Sequence, residues 1–418
     1  MLRHPPGIAG DVHPQVGGEA HGAGILPAAG SEAPGEPAGV LVGWRQGWLP
    51  SGERSTALGV FEAIGSRGHE ELVFGYDPTS GLKSIIAIHS TALGPALGGT
   101  RFYPYPTEAE ALEDVLRLSM GMTLKAAAAG LDLGGGKAVL IGDPRKGKSE
   151  RLWRAYGRVV DSLQGRYITA EDVGTDAQDM DMIRRETRWV VGVPVEEGGS
   201  GDPSPKTALG ITAAMRAVSR FLWESDDLAG RTIAVMGVGK VGTALVDLLT
   251  AAGCRCVVAD TFPPALQAVQ AKHPEVGVVS VEEIYGVECD ILSPNSLGGA
   301  LNEQTIARLR CRAVCGAANN QLATEDDAKR LLGRGILYAP DFVVNAGGLI
   351  NVSEEIHGYN EQKADARIMR VYDNTLAVLH SAHEQGMSPH HAAVELAMER
   401  VQKIGNLRLF RRSGDDRA

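Results

Sequence analysis

Two lysines and one aspartate sit where chemistry is most directly suggested. Lys125 lies in GMTLKAAAAG and Lys137 in GLDLGGGKAVL, among small and apolar residues where a charge is seldom found without a partner. Asp172, in TAEDVGT, follows an apolar strand-like run, a place where functional groups are often presented. Such a trio suits reaction at an amino-acid α-carbon. One ammonium can hold the carboxylate. A second lysine can act as a base once desolvation and a cationic neighbour depress its pKa. A carboxylate can take protons from the amine and steady the developing iminium. The alternative is that both lysines are surface residues and Asp172 merely caps a helix. Gly134–Gly136 read as stripping side chains from the approach to Lys137.

A second constellation is Gly237-Val238-Gly239-Lys240-Val241-Gly242. G-x-G-x-x-G is a weak pattern in a glycine-rich chain, but here it follows a predicted strand (Thr232–Met236) and opens a predicted helix. The first glycine allows a tight turn and the second lets a pyrophosphate approach the backbone. The third lets helix and strand pack closely, while the helix start offers N–H groups to phosphate. Asp260 ends the next strand, 18 residues after Gly242, near the distance at which an acid binds the ribose 2′-OH of NAD and repels the 2′-phosphate of NADP. Thr261, Phe262 and Pro263 follow, with no arginine. The cofactor expected is NAD.

These residues need rigid elements to hold them. ELVFGYD and LKSIIAIHS read as a β-hairpin. Thr107 with Glu110 forms a capping-box pattern ahead of an apolar stripe through Leu112, Val115, Leu116 and Met120. KAVLIGD is a buried strand, Glu150–Leu163 a helix and RYITAED another strand. GGSGDPSP at 198–205 marks a junction, after which a helix runs from Thr207 to Trp223. The β-α-β unit IAVMGVGKVGTALVDLLTAAGCRCVVAD and further strand–helix pairs follow, and the chain reads as helical from Asn345 to Lys403. The fold class is therefore α/β. Residues 1–55, rich in Gly, Pro and Ala, read as a disordered extension. Residues 56–197 form a substrate domain, 206–385 a Rossmann domain, and 386–418 a helix returning to the first domain with a frayed end. The loop 198–205 and the helix near 345–360 are hinge candidates.

The chain has 418 residues, 44% hydrophobic and 22% charged, with a formal net charge of −10. It fits two or three domains. The negative balance argues against nucleic acid as partner, and no apolar run reaches the ~18 residues of a membrane span. Five cysteines in a long chain, and an N-terminus unlike a signal peptide, suggest a cytoplasmic protein. The pairs Cys254/Cys256 and Cys311/Cys315 read as core cysteines, so no metal is expected.

In LGPALGG, GMTLK, GLDLGGGK, TAEDVGT, the glycine fingerprint, YGVECDI, AANNQL and YAPDFVVNAGGLINV, the chain resembles the leucine/valine/phenylalanine dehydrogenases of the glutamate dehydrogenase superfamily. The likeness runs from about Leu58 to Ile404. It implies that Lys125 binds the substrate α-carboxylate, that Lys137 activates the water attacking the imino acid and that Asp172 is the catalytic aspartate. It further implies that Thr207 and Asn319 lie near the nicotinamide and that Asp260 binds ribose. Leu97, Gly98, Gly99, Met122, Ala170, Leu349 and Val352 would surround the substrate side chain. The expected reaction takes an amino acid, NAD and water to 2-oxo acid, ammonia and NADH, in a homo-oligomer assembled through the first domain.

Leu97 stands where the resemblance puts a cation in glutamate dehydrogenases. An unpaired buried carboxylate costs on the order of several kcal/mol, so glutamate is a poor substrate. A methylene changes discrimination by only ~1–3 kcal/mol. Ala170 leaves moderate room and Leu349 shortens the pocket, which favours valine, leucine or isoleucine over phenylalanine or tryptophan. The competing readings are an aromatic amino-acid dehydrogenase and a catalytically silent NAD-binding regulator. Lys206, directly before Thr207, is an unusual charge to find beside a nicotinamide.

Overall fold

The computed structural model describes residues 59–296 and 298–405. The extension 1–55 and the charged end at 408–418 lie outside these described residues. The chain opens with α1 (Val60–Arg67) and the antiparallel pair β1 (Glu71–Asp77) and β2 (Leu82–Ser90), Glu71 opposite Ile88 and Asp77 opposite Leu82. The Asp77 carboxylate accepts the N–H groups of Thr79 at 3.1 Å and Ser80 at 3.0 Å, which fixes the turn as the sequence suggests. Then come β3 (Ala96–Tyr103), α2 (Glu108–Ala128), β4 (Gly134–Ile141), α3 (Glu150–Asp161), β5 (Tyr167–Glu171) and α4 (Ala177–Arg184). Thr107 caps α2, accepting the Glu110 N–H at 3.2 Å.

The five strands lie in the order β1-β2-β4-β3-β5, with β3 parallel to both β4 and β5. Alternation along β2 sends Ile85 and Ala87 into a core with Val115 and Leu116 of α2. Ile86 and Ile88 go into another core, with Trp153 and Tyr156 of α3. Burial on both faces is why the sequence of β2 is a nearly continuous apolar run.

The second half begins with α5 (Ser204–Trp223) and alternates through β6 (Thr232–Met236), α6 (Lys240–Ala251), β7 (Arg255–Ala259), α7 (Pro263–Lys272) and β8 (Gly277–Val278). It continues with β9 (Glu288–Pro294), α8 (Glu303–Ile306), β10 (Arg310–Val314), α9 (Asp326–Gly333) and β11 (Leu337–Tyr338). All six strands are parallel, in the order β11-β10-β9-β6-β7-β8. From β6 the chain winds one way to β8, and from β9 the other way to β11. The crevice between β6 and β9 is thus the switch point at which doubly wound sheets bind ligands. The helices α10 (Asp341–Val344), α11 (Gly347–Ser353), α12 (Glu361–Ile368), α13 (Val371–Gln385) and α14 (Pro389–Gly405) close the fold. Ala397 and Val401 of α14 pack against Leu93 and Ala127, and Arg400 donates to the Leu131 carbonyl at 2.8 Å.

Candidate active site

Lys137 on β4 lies almost wholly buried, and its Nζ is 3.2 Å from Oδ2 of Asp172, the residue after β5. The turn that presents Asp172 is fixed locally. Its N–H donates to Oγ1 of Thr175 at 2.8 Å, and the Thr175 hydroxyl reaches the Thr100 carbonyl at 2.9 Å. Gly174 has φ of +84° and its α-carbon faces the Phe102 carbonyl, so TAEDVGT needs glycine there. Lys125 is half-buried near the end of α2. Its ammonium donates to Oδ1 of Asn319 at 3.0 Å, which bridges the two halves of the molecule. The three residues singled out in the sequence therefore share one site.

The electrostatics follow from burial and neighbours. Desolvation lowers the Lys125 pKa to about 8, against the pull of Asp341 and with the help of Lys137. Desolvation also lowers that of Lys137, though Asp172 resists it. Burial pushes the Asp172 carboxyl upward, but Lys137 and Arg101 more than offset this and leave it below the usual carboxylate range. A lysine deprived of water holds its proton less tightly than an exposed one and so is better suited to act as a base.

The glycine run before Lys137 has a different reason from the one the sequence suggests. A Cβ on Gly135 would strike the backbone of Thr123 in α2, one on Gly134 the Ser90 carbonyl, and one on Gly136 the Tyr167 ring. The run lets α2 and the neighbouring strands close onto β4, and so brings Lys125 to Lys137. Gly98 and Gly99 behave alike: their Cβ atoms would meet the carbonyls of Gly136 and Glu171. Leu97, Ala170, Leu349 and Val352 are buried in one apolar cluster, against which Met122 packs.

At the switch point, Gly237 has φ of +98°, and a Cβ on Gly242 would strike the Gly237 carbonyl. A Cβ on Gly239 would meet nothing within 4 Å, and α6 starts there without a side-chain cap. Open space in front of uncapped N–H donors fits a diphosphate. Asp260 accepts the N–H of Val238 at 2.7 Å and of Phe262 at 2.8 Å, one on each oxygen. Each oxygen keeps a lone pair for a ribose hydroxyl. Val238 is buried and Val241 packs on the core, while Lys240 is exposed and faces Asp202 at 3.3 Å. The residues present fit a dinucleotide.

Thr207 sits in α5 against Gly348 of α11, its hydroxyl donating to the Pro203 carbonyl at 3.0 Å. The charge of Lys206 is directed away from this contact: its ammonium pairs with Glu361 at 2.9 Å and Asp365 at 2.5 Å on α12. Two carboxylates thus offset the charge of Lys206.

Other residues gain a place that the sequence reading did not give them. Asn345 donates to Oδ1 of Asn319 at 2.8 Å and to the Ala317 carbonyl at 3.0 Å, fixing the acceptor for Lys125. Glu355 accepts the N–H groups of Gly192 at 2.9 Å and Ser200 at 2.8 Å, tying down the segment between the two sheets. Arg101 reaches Asp172 at 2.8 Å. Asn345 lies within YAPDFVVNAGG and Arg101 directly follows GGT, so the motifs were visible although these roles were not.

Comparison with known proteins agrees with this geometry. Residues 69–189 match the profile of the Glu/Leu/Phe/Val dehydrogenase dimerisation domain, and residues 264–408 that of the glutamate/leucine/phenylalanine/valine dehydrogenases. Residues 210–313, which hold the glycine loop, match the NAD binding domain of the D-isomer specific 2-hydroxyacid dehydrogenases. The chain is 52% identical to a valine dehydrogenase of Streptomyces coelicolor over 336 residues, 80% of this chain and 92% of the relative. It is 48% identical to a leucine dehydrogenase of Bacillus cereus over 362 residues, 86% of this chain and 98% of the relative. The solved L-tryptophan dehydrogenase of Nostoc punctiforme superposes with a TM-score of 0.73 at 43% identity, covering 82% of this chain and 99% of that one. The nucleotide site is accordingly one for NAD, and the chain belongs to the glutamate/leucine/phenylalanine/valine dehydrogenase family.

Proposed function

We propose that the protein oxidatively and reversibly deaminates a branched aliphatic L-amino acid, valine, leucine or isoleucine, to the 2-oxo acid and ammonia. The observation that carries this is the buried Lys137–Asp172 contact of 3.2 Å beside Lys125, with Leu97, Ala170, Leu349 and Val352 all buried. Lys125 exchanges its bond to Asn319 for the substrate carboxylate. Asp172 takes a proton from the substrate ammonium, freeing the lone pair that forms the iminium. NAD, bound on the glycine loop, supplies the acceptor for the α-carbon hydride. Lys137 then takes a proton from the water that adds to the iminium carbon. Asp172 returns a proton to nitrogen and, ionised again, takes the carbinolamine hydroxyl proton as the C–N bond breaks, so that the carbonyl forms and ammonia leaves. Leu97, Ala170, Leu349 and Val352 with Met122 contact the side chain, Gly98 lets strand β3 close on β4 at Gly136 and Lys137, and Gly99 lets it close on Asp172.

The relatives named for valine and leucine support the branched-chain assignment. Assembly as a homo-oligomer through the first sheet is supported by the match to a dimerisation domain. It is supported too by Phe74 and Tyr76, exposed on the edge strand β1. Five cysteines that are all buried free thiols are consistent with work in the cytoplasm. The test is NADH formation at alkaline pH with valine, leucine, isoleucine, phenylalanine, tryptophan and glutamate, and with NADP in place of NAD. Branched aliphatic substrates with NAD are expected to lead. A preference for an aromatic substrate would overturn the pocket assignment. Silence across the panel, with NADH still bound, would favour the regulator.

A further inference from the structure

Strand β3 brings to the aspartate a second cation, whose part in the reaction the preceding steps leave open. Arg101 donates through Nε to Oδ2 of Asp172 at 2.8 Å, the same oxygen that faces Lys137. Its Nη1 donates to Oδ2 of Asp114 at 2.8 Å. Asp114 is itself held on α2: the Tyr105 hydroxyl donates to it at 2.6 Å and Arg117 at 2.9 Å. The guanidinium is thus gripped between two carboxylates, and it cannot turn without breaking charge-assisted bonds.

We infer that Arg101 is a positioning residue, fixing Oδ2 of Asp172 against Lys137 and, held by Asp114, setting how many protons that pair carries at a given pH. This rests on the reading of Lys137 and Asp172 as reacting groups. The charged groups facing the pair are Arg101 from β3 and Lys125 from α2, with Asp341 beside Lys125. Behind Arg101 stand Asp114 and Arg117 of α2 and the Tyr105 phenol. Removing Arg101 takes a cation from the pair and leaves the Asp114 anion, so carboxylate and ammonium both hold protons more tightly. The sign is the same for either, so the acidic limb of the rate profile moves to higher pH whichever group it reports.

The experiment measures kcat, KM and the pH profile of kcat/KM for Arg101→Gln, Arg101→Lys, Asp114→Asn and Asp172→Asn. NADH binding and thermal unfolding are followed on the same samples. Arg101→Gln is expected to lose about 100-fold in kcat, to bind NADH as the wild type does and to shift the acidic limb upward by about one unit. Arg101→Lys, which keeps the charge, should recover part of the rate and leave the limb in place. Asp114→Asn keeps an amide oxygen for the guanidinium but removes an anion. Its rate loss should be smaller and its limb should move down. A rate for Arg101→Gln within about threefold of wild type would overturn the inference. So would a rate loss with an unmoved limb, or one matched by loss of NADH binding. If Arg101→Gln does not fold, the limbs of Arg101→Lys and Asp114→Asn decide; an upward shift in both would overturn the inference. Full activity in Asp172→Asn would bring down the reading of Asp172 itself, and this role for Arg101 with it.

Discussion

Gly135 and Gly239 are both glycines in binding segments, yet their surroundings are opposite. The missing Cβ of Gly135 is replaced by the backbone of α2, whereas that of Gly239 leaves open space in front of a helix start. In the first sheet, glycines let protein close on protein, so that charged side chains from separate elements meet: Lys125 from α2, Lys137 from β4, Asp172 after β5. In the second sheet, the glycine loop leaves room for a ligand, and backbone N–H groups supply the recognition. Gly242, pressed against the Gly237 carbonyl, is a packing glycine within the ligand loop. The first region should therefore govern the chemical step and the second cofactor affinity.

The largest effect should come from Asp172→Asn. It leaves Lys137 and Arg101 facing a neutral group and should cut kcat by about 1,000-fold, with NADH binding unchanged. A comparable loss of NADH affinity would erase the division between the regions. The glycines sharpen it further. Gly135→Ala should destabilise the fold by about 1–3 kcal/mol, seen as a lower Tm. Gly239→Ala should leave Tm nearly unchanged and weaken NADH binding by about tenfold, on the order of 1.4 kcal/mol. The reverse pattern would break the comparison.

A smaller effect separates the regions by pH. His69 bonds through Nε2 to the Leu116 carbonyl at 3.0 Å and the Ser119 hydroxyl at 2.9 Å, and His89 through Nδ1 to Thr123 at 2.7 Å. Burial holds His69 at about 4 and, with His69 beside it, His89 at about 3, against an ordinary 6.5. The unfolded chain therefore binds more protons below pH 6.5, and the seating of α2 loses stability as pH falls toward 4. Tm should drop over that range by about a few degrees. His69→Gln should flatten the slope, and an unchanged slope would remove these histidines from the argument.

What could be read from the sequence follows the same divide. The glycine fingerprint, its strand, its helix and Asp260 form one continuous segment, so the cofactor half was legible from spacing. Lys125, Lys137 and Asp172 stood out because charges among apolar residues need a reason. Arg101 and Asp114 did not, because their partners become neighbours only when β3, α2 and β5 assemble. The packing role of the GGG run is not legible in the sequence, since the atoms that exclude a Cβ belong to Ser90, Thr123 and Tyr167, remote in sequence. Lys206 looked out of place for the same reason, its partners Glu361 and Asp365 lying far along the chain. Helices α1 and α4 lie beyond the sequence reading; each is short, with only two or three buried residues to form a stripe.

The most direct test of a lysine base acting in an NAD-dependent amino-acid dehydrogenase is Lys137→Ala against wild type. NADH formation from L-valine and L-leucine would be measured at alkaline pH, together with NADH binding in the same samples. The expected result is a fall in kcat of about 100-fold or more, with NADH bound as tightly as before. Turnover within about tenfold of wild type, with the protein folded and loaded, would contradict it.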